Sequence, residues 1–250
     1  MRQRRLDRTV HPGSLIARLP HSVQPSAVWL RSLTGWGAGM QPDQQTWDSE
    51  PLNGQHKRAA VIAALINVGG ITRAIETGTY RGVTTEHLAT LVESVVSIEV
   101  DPSYYSVAKE RLGGSSTISL RLADSRSVLM ELSAQTHDTG QPTLFYLDAH
   151  WGADLPLAAE LTIICAAWSR AIVVIDDFEV PGDAGYGFDD YGPGARLDRS
   201  ILPPLPGWWG AYPSLASGAE TGARRGWVVL ATPALRHVLD VAGLAAPWSL

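Results

Sequence analysis

Cysteine is nearly absent from this chain: Cys165 stands alone among 250 residues, which excludes an intrachain disulfide framework and a Cys-based zinc site. It lies in an apolar helical pattern and reads as a buried spacer. No apolar stretch is long enough for a signal peptide or a membrane span, which predicts a soluble, cytoplasmic protein without a membrane partner. Positive charge is not in excess either. With 20 Lys and Arg against 25 Asp and Glu, a net charge of -5 and a pI near 5.8, a broadly basic nucleic-acid surface is excluded. The one local basic patch, Arg2, Arg4, Arg5 and Arg8, reads as a solvated tail. Internal repeats and low-complexity tracts are also missing. What remains is 45% apolar content, enough for one large α/β domain with an appended segment.

The first 50 residues carry Pro12, Pro20, Pro25 and Pro42 with Gly35-Trp36-Gly37 and no sustained period, which predicts an irregular leader. Trp29, Trp36 and Trp47 suit packing onto the core or homo-oligomerisation. From residue 51 onward, strand and helix patterns alternate. A helix is expected over Lys57 to Asn67, and strands near 72–77, 95–100, 117–121, 143–148 and 171–176. Helices near 83–93, 102–112, 125–133 and 156–168 fall between them. Such alternation predicts a Rossmann-like, doubly wound α/β fold with a mostly parallel sheet and ligands gathered at the carboxyl ends of its strands. Trp208, Trp209 and Tyr212, then Gly226 to Leu230, predict a terminal antiparallel hairpin completing seven strands.

The segment Ile75 to Thr85 (IETGTYRGVTT) carries the first chemistry. Glu76 closes a strand, Gly78 and Gly82 let the backbone turn sharply near a ligand, and Thr84 and Thr85 open a helix whose free N–H groups face the same crevice. A carboxylate at Glu76 disfavours a phosphate and suits a cation or hydroxyl donors. Seventeen residues past Gly82, Glu99 ends the next apolar run and offers ribose hydroxyls a second acceptor. A dinucleotide fingerprint would need glycine where Tyr80 stands, and a P-loop would need a Gly-Lys-Ser/Thr that is absent. Another Rossmann-type binder or an ordinary strand-turn-helix is also compatible with the spelling.

Two further strands end in acid: Phe145 to Asp148, followed by Ala149, His150 and Trp151, and Val173 to Asp176, followed by Asp177. Paired parallel strands lie about 4.8 Å apart, so Asp148 and Asp176 are expected as neighbours. Three converging carboxylates repel one another unless a cation neutralises them, and an all-oxygen set favours Mg²⁺ or Mn²⁺. The alternative is that Asp177 caps a turn, Asp176 meets solvent and Asp148 alone touches ligand.

The spacing E-x-G-x-x-x-G with an acid ending the next strand resembles the cofactor site of class I S-adenosylmethionine-dependent methyltransferases. The acids after the fourth and fifth strands are similar to those of the metal-dependent O-methyltransferases, including catechol O-methyltransferase and the macrocin-type sugar enzymes. The resemblance spans roughly residues 52 to 200. It implies that Glu76, Thr77, Gly78, Gly82, Thr84, Thr85 and Glu99 hold S-adenosyl-L-methionine, and that Asp124 and Ser125 occupy the adenine-contacting position. As a plain helix cap that last pair is equally ordinary. It further implies that Asp148, Asp176 and Asp177 are metal ligands. In catechol O-methyltransferase the last ligand is an amide and the base a lysine; here Asp177 and His150 stand in those places.

The activity implied is O-methylation of a small hydroxylated metabolite such as a sugar, polyol or natural product. Asp148 and His150 are the candidate catalytic residues, since an imidazole with an ordinary pKa near 6.5 suits general-base work at neutrality. The other role for His150 is to hydrogen-bond substrate or backbone. The loop Gly182 to Gly194, with Tyr186, Phe188, Asp189, Asp190 and Tyr191, has the composition of a substrate-contacting loop within residues 181–200, and equally of a surface Ω-loop. Two other function classes fit the residues: a metal-dependent enzyme of different chemistry on the same fold, and a non-catalytic binding or scaffold protein.

Overall fold

The computed structural model describes residues 49–135, 140–150 and 154–250, all within the unit Asp43–Leu250. The proline-rich leader with Trp29, Trp36 and Trp47, and also Trp151, lie outside the described residues. The described chain alternates as expected. Helix α1 (His56–Gly69) precedes β1 (Arg73–Thr77), then α2 (Val83–Ala89), β2 (Ser94–Glu99), α3 (Pro102–Leu112) and β3 (Ile118–Leu122). The second half runs α4 (Ser125–Gln135), β4 (Thr143–Leu147), α5 (Leu157–Ala167) and β5 (Ala171–Asp176). It closes with β6 (Trp209–Ala211), β7 (Trp227–Ala231) and β8 (Trp248–Ser249).

The strand order is β3-β2-β1-β4-β5-β7-β6-β8. The first five positions are parallel, and β7 runs antiparallel to both β5 and β6. The expected seven strands thus gain an eighth, the two-residue β8, which pairs with β6 at the edge. Helix α2 is shorter than its apolar pattern, because Thr90 turns its hydroxyl back onto the His87 carbonyl (2.7 Å) and the chain leaves the helix there. Cys165, expected as a buried spacer, is half-buried on α5.

Alternation along the strands sorts the core onto two faces. Ala74, Tyr146, Ile172 and Val174 point to the face covered by Val61, Ile62 and Leu65 of α1 and Leu88 of α2. Ile75, Phe145, Leu147, Val173 and Ile175 point to the face covered by Val128 and Leu129 of α4 and Leu157, Leu161 and Ile164 of α5. Continuing that alternation by one step decides the site. Glu76 and Asp176 fall on the α1–α2 face, whereas Thr77 falls on the α4–α5 face.

Candidate functional site

The strand order reverses between β1 and β4, with β2 and β3 on one side and β5 on the other, so the crossovers leave in opposite directions there. Ligands gather at the carboxyl ends of strands beside such a switch point. Five non-glycine residues among those described have positive φ, and all flank this edge: Leu52 (55°), Asn53 (59°), Tyr80 (51°), Asp177 (53°) and Arg224 (54°). Each costs of order 1 kcal/mol or more, and such strain concentrates where a site demands a backbone geometry.

The turn after β1 is fixed by close approach. Gly78 has φ 84°, its N–H donates to the Ile98 carbonyl at 2.9 Å, and a side chain there would collide with the Asp148 carbonyl. Glycine therefore lets the ends of β1 and β4 meet. Gly82 (φ 79°) caps α2, and a side chain there would press on Leu112 of α3.

Glu76 is buried and accepts at one oxygen from the Thr85 and Ser97 hydroxyls, the latter at 2.5 Å. Burial pushes its pKa up to about 7, against the pull of those two hydroxyls. Glu99 accepts from the backbone N–H groups of Tyr80 (2.7 Å) and Asp101 (2.8 Å), and burial again raises its pKa. Both acids are held by neutral donors only. Neutral donors leave the negative charge of either acid uncancelled, and oxygens with two lone pairs each keep acceptor capacity for hydroxyl donors. This chemistry fits a cationic sulfonium and a ribose, and it disfavours a phosphate.

The other expected cofactor residues divide. Thr85 faces Glu76 rather than open space, and the Thr84 hydroxyl accepts from the Leu52 N–H at 3.1 Å, so both fix the crevice wall. Thr77 is buried on the opposite face, its hydroxyl beside the Glu160 carboxylate. Asp124 is bound by Arg126, whose side chain also pairs with Asp154 at 2.9 Å; that arginine lowers the Asp124 pKa. Ser125 opens α4 and is buried beside it.

At β4 and β5 the parallel register pairs Leu147 with Ile175, so Asp148 and Asp176 follow side by side as expected. Their environment is not the expected one. Arg58 of α1 is fully buried and sets its Nη2 2.6 Å from Asp176 Oδ2, to which the Tyr146 hydroxyl also donates at 2.5 Å. Asp176 Oδ1 accepts from the Asp177 N–H at 2.7 Å. Burial alone would raise the Asp176 pKa, but the Arg58 charge holds it below the usual range. Asp177 pairs with Arg225 (Nε to Oδ1, 2.5 Å), and Asp189 pairs with the same guanidinium. Burial and Asp176 push Asp177 up to about 7. Asp148 makes no side-chain hydrogen bond or ion pair among the described residues, and burial with its two acidic neighbours raises its pKa well above the ordinary value. Among the described residues no group of three or more His, Cys, Asp or Glu is disposed to hold a metal ion. Of the three acids expected as divalent-ion ligands, Asp176 and Asp177 are thus each already engaged by a guanidinium, Arg58 and Arg225 respectively.

His150 is buried, with Nε2 3.1 Å from the Asp176 carbonyl and Nδ1 unpartnered. A carbonyl only accepts, so the proton belongs on Nε2 and the lone pair on Nδ1. Burial lowers the His150 pKa and keeps the ring neutral. In the following loop, the Tyr191 hydroxyl lies within hydrogen-bond distance of two acceptors that share its one proton, the His150 carbonyl (2.9 Å) and Asp189 (2.5 Å), which ties the loop to the end of β4. Tyr186 is buried and donates to the Leu215 carbonyl, and Phe188 lies under Arg196 at 4.5 Å. Two loop aromatics are thereby committed to the protein itself.

Sequence reasoning missed Arg58, Arg225, Asn53 and Glu160. Arg58 had a signal: it lies at the i, i+3, i+4, i+7 spacing with Val61, Ile62 and Leu65 on the apolar face of α1. Glu160 likewise falls on the buried face of α5, beside the Ser125 and Thr77 hydroxyls, with a pKa pushed by burial to about 7 against their pull. The loop positions of Asn53 and Arg225 carried none.

No protein-family model matches the chain, and no curated protein matches it in sequence. Solved structures do share its fold. An O-methyltransferase from Bacillus cereus in complex with S-adenosylhomocysteine superposes with a TM-score of 0.54 at 13% identity, covering 81% of this chain and 96% of that one. The O-methyltransferase TomG from Streptomyces achromogenes, involved in tomaymycin synthesis and solved with S-adenosylmethionine, gives 0.53 at 14% identity over 81% and 94%. The chain thus shares the Rossmann-like fold of these two methyltransferases.

Proposed function

We propose that this chain is an S-adenosyl-L-methionine-dependent methyltransferase that transfers the methyl group to an oxygen of a small hydroxylated substrate such as a sugar, polyol or natural product. The observation that carries this reading is the pair Glu76 and Glu99. Two buried acids end adjacent parallel strands across a glycine turn, and neutral donors alone hold them. Residues 51–250 form the catalytic domain, and residues 181–200 the loop that meets the acceptor.

The sulfonium supplies an already activated methyl group, so alignment of the acceptor oxygen is the protein's main task. Oriented reactants reach effective molarities of roughly 10⁵–10⁸ M. Glu99 orients the ribose through its remaining lone pairs, and Glu76 sets a negative charge near the sulfonium end. Asp148, the acid of its cluster without a guanidinium hydrogen bond, holds the acceptor hydroxyl. His150 takes the hydroxyl proton at Nδ1 as the O–CH₃ bond forms and the S–CH₃ bond breaks. Because Nδ1 is shut off from bulk solvent, the acceptor must pack against the ring for that transfer.

Turnover of S-adenosylmethionine to S-adenosylhomocysteine across a panel of sugars, polyols and phenols tests the reading. An acceptor-dependent product that falls about 10²-fold or more in His150→Ala is expected. Equal rates in the variant would remove His150 from the chemistry, and no turnover with any acceptor would count against the activity.

A further inference from the structure

We infer that Arg58 and Arg225 stand in for a divalent cation, so that the acid cluster at the ends of β4 and β5 is neutralised by fixed guanidinium groups and the site works without a metal. This rests on the reading of that cleft as the acceptor side of a methyltransferase, but it is tested apart from it.

Four carboxylates, those of Asp148, Asp176, Asp177 and Asp189, crowd this edge, and such a group needs compensating charge. The chain provides it from two places distant in sequence. Arg58 rises from α1 beneath the cluster, sandwiched between the Tyr146 ring (5.5 Å) and the Trp227 ring (5.9 Å), which hold its plane while Nη2 meets Asp176. Arg225 enters from the strained stretch before β7 and spans Asp177 and Asp189. Asp176 is saturated: Oδ2 accepts from Arg58, Tyr146 and, at 3.4 Å, the Asn53 amide, and Oδ1 accepts from the Asp177 N–H.

A magnesium-type ion demands near-octahedral oxygen ligands at about 2.0–2.1 Å and releases its own water reluctantly. To win Asp176 it would have to displace a guanidinium that is wholly buried and, among the described residues, has no other carboxylate within salt-bridge distance. A buried cation stripped of its partner is strongly disfavoured. Arg225 is the weaker guard, with 27% of its side chain exposed. Removing it frees Asp177 and Asp189 beside Asp148, an all-oxygen set of the kind that Mg²⁺ and Mn²⁺ prefer.

The test is titration of the full chain with Mn²⁺ alone, with free ion counted by electron paramagnetic resonance, in the wild type, Arg225→Met and the double variant Arg225→Met/Asp177→Asn. Circular dichroism verifies folding, and the exposure of Arg225 makes its loss tolerable. The wild type is expected to bind no stoichiometric Mn²⁺. Arg225→Met is expected to gain one site roughly tenfold tighter or more, and the double variant to lose it again. One tightly bound Mn²⁺ in the wild type would overturn the inference. So would the absence of a gained site in a folded Arg225→Met, since the arginine would then not be what keeps the ion out. Calorimetry with S-adenosylhomocysteine on the same samples separates the two ideas: loss of cofactor binding with the Mn²⁺ pattern intact sinks the methyltransferase reading and leaves this one standing.

Discussion

At the ends of β1 and β2, Glu76 and Glu99 are held by hydroxyls and backbone N–H groups, whereas at the end of β5 Asp176 and Asp177 are each held by a guanidinium. The same functional group, a carboxylate, at the same edge of one sheet, is thus prepared for two tasks. Neutral donors order a carboxylate without cancelling its charge, so the first pair still attracts a cation. Arginines cancel the charge, so the second pair shapes the cleft while leaving Asp148 and His150 as its chemically unspent groups. The difference lies in which helix face each acid meets: Glu76 looks onto Thr85 of α2, and Asp176 onto Arg58 of α1.

The largest effect expected from breaking this contrast comes from Arg58→Met. It strands Asp176 as a buried unpaired charge and should cost about 3–5 kcal/mol of unfolding free energy in urea titration. Adding Asp176→Asn should recover much of that loss. If the single variant is as stable as the wild type, the guanidinium does not neutralise the cluster.

Glu160 sharpens the comparison from the opposite face, as a fully buried acid in no ion pair among the described residues, whose burial outweighs the pull of the Ser125 and Thr77 hydroxyls. Its folded pKa is raised from the ordinary 4.5 to about 7. The folded state therefore keeps a proton that the unfolded chain releases, and stability falls as pH rises from about 4.5 to 7 and then levels off. Glu160→Gln should flatten that slope, and the wild-type excess at low pH should approach about 3 kcal/mol at most. Parallel pH profiles for the two proteins would refute this.

On the neutral-donor side, Glu99→Ala should weaken S-adenosylhomocysteine binding about 10- to 100-fold, the worth of hydrogen bonds to a charged group. Wild-type affinity in that variant would take the ribose away from Glu99. A smaller effect distinguishes Glu76. With a pKa near 7, it gains full charge as pH rises through neutrality. S-adenosylmethionine, which carries the sulfonium, should then gain roughly threefold or more over S-adenosylhomocysteine, whose thioether sulfur is neutral, between pH 6 and 8. Glu76→Gln should abolish the trend, which calorimetry at three pH values would detect.

Most of the sheet was legible because its signals are local. Apolar runs of strand length end in acids, and glycines mark the turn after β1. The side-by-side placement of Asp148 and Asp176 followed from strand pairing alone. What sequence could not display was the company each acid keeps. Arg58 reaches Asp176 across 118 positions, and Arg225 reaches Asp177 across 48. A pattern of carboxylates looks the same whether a metal or an arginine neutralises it, so the expected ligand set was a sound reading of half the cluster. Only the apolar-face position of Arg58 hinted at the other half. The strained pair Leu52 and Asn53 carried no signal, since a Pro-Leu-Asn-Gly stretch also spells an ordinary turn.

The most direct test of the account is calorimetric titration of the intact protein with S-adenosylhomocysteine, first in EDTA and then in excess Mg²⁺. One micromolar site of equal affinity in both buffers is the predicted result. No binding by folded protein, or binding that appears only with Mg²⁺, would contradict it.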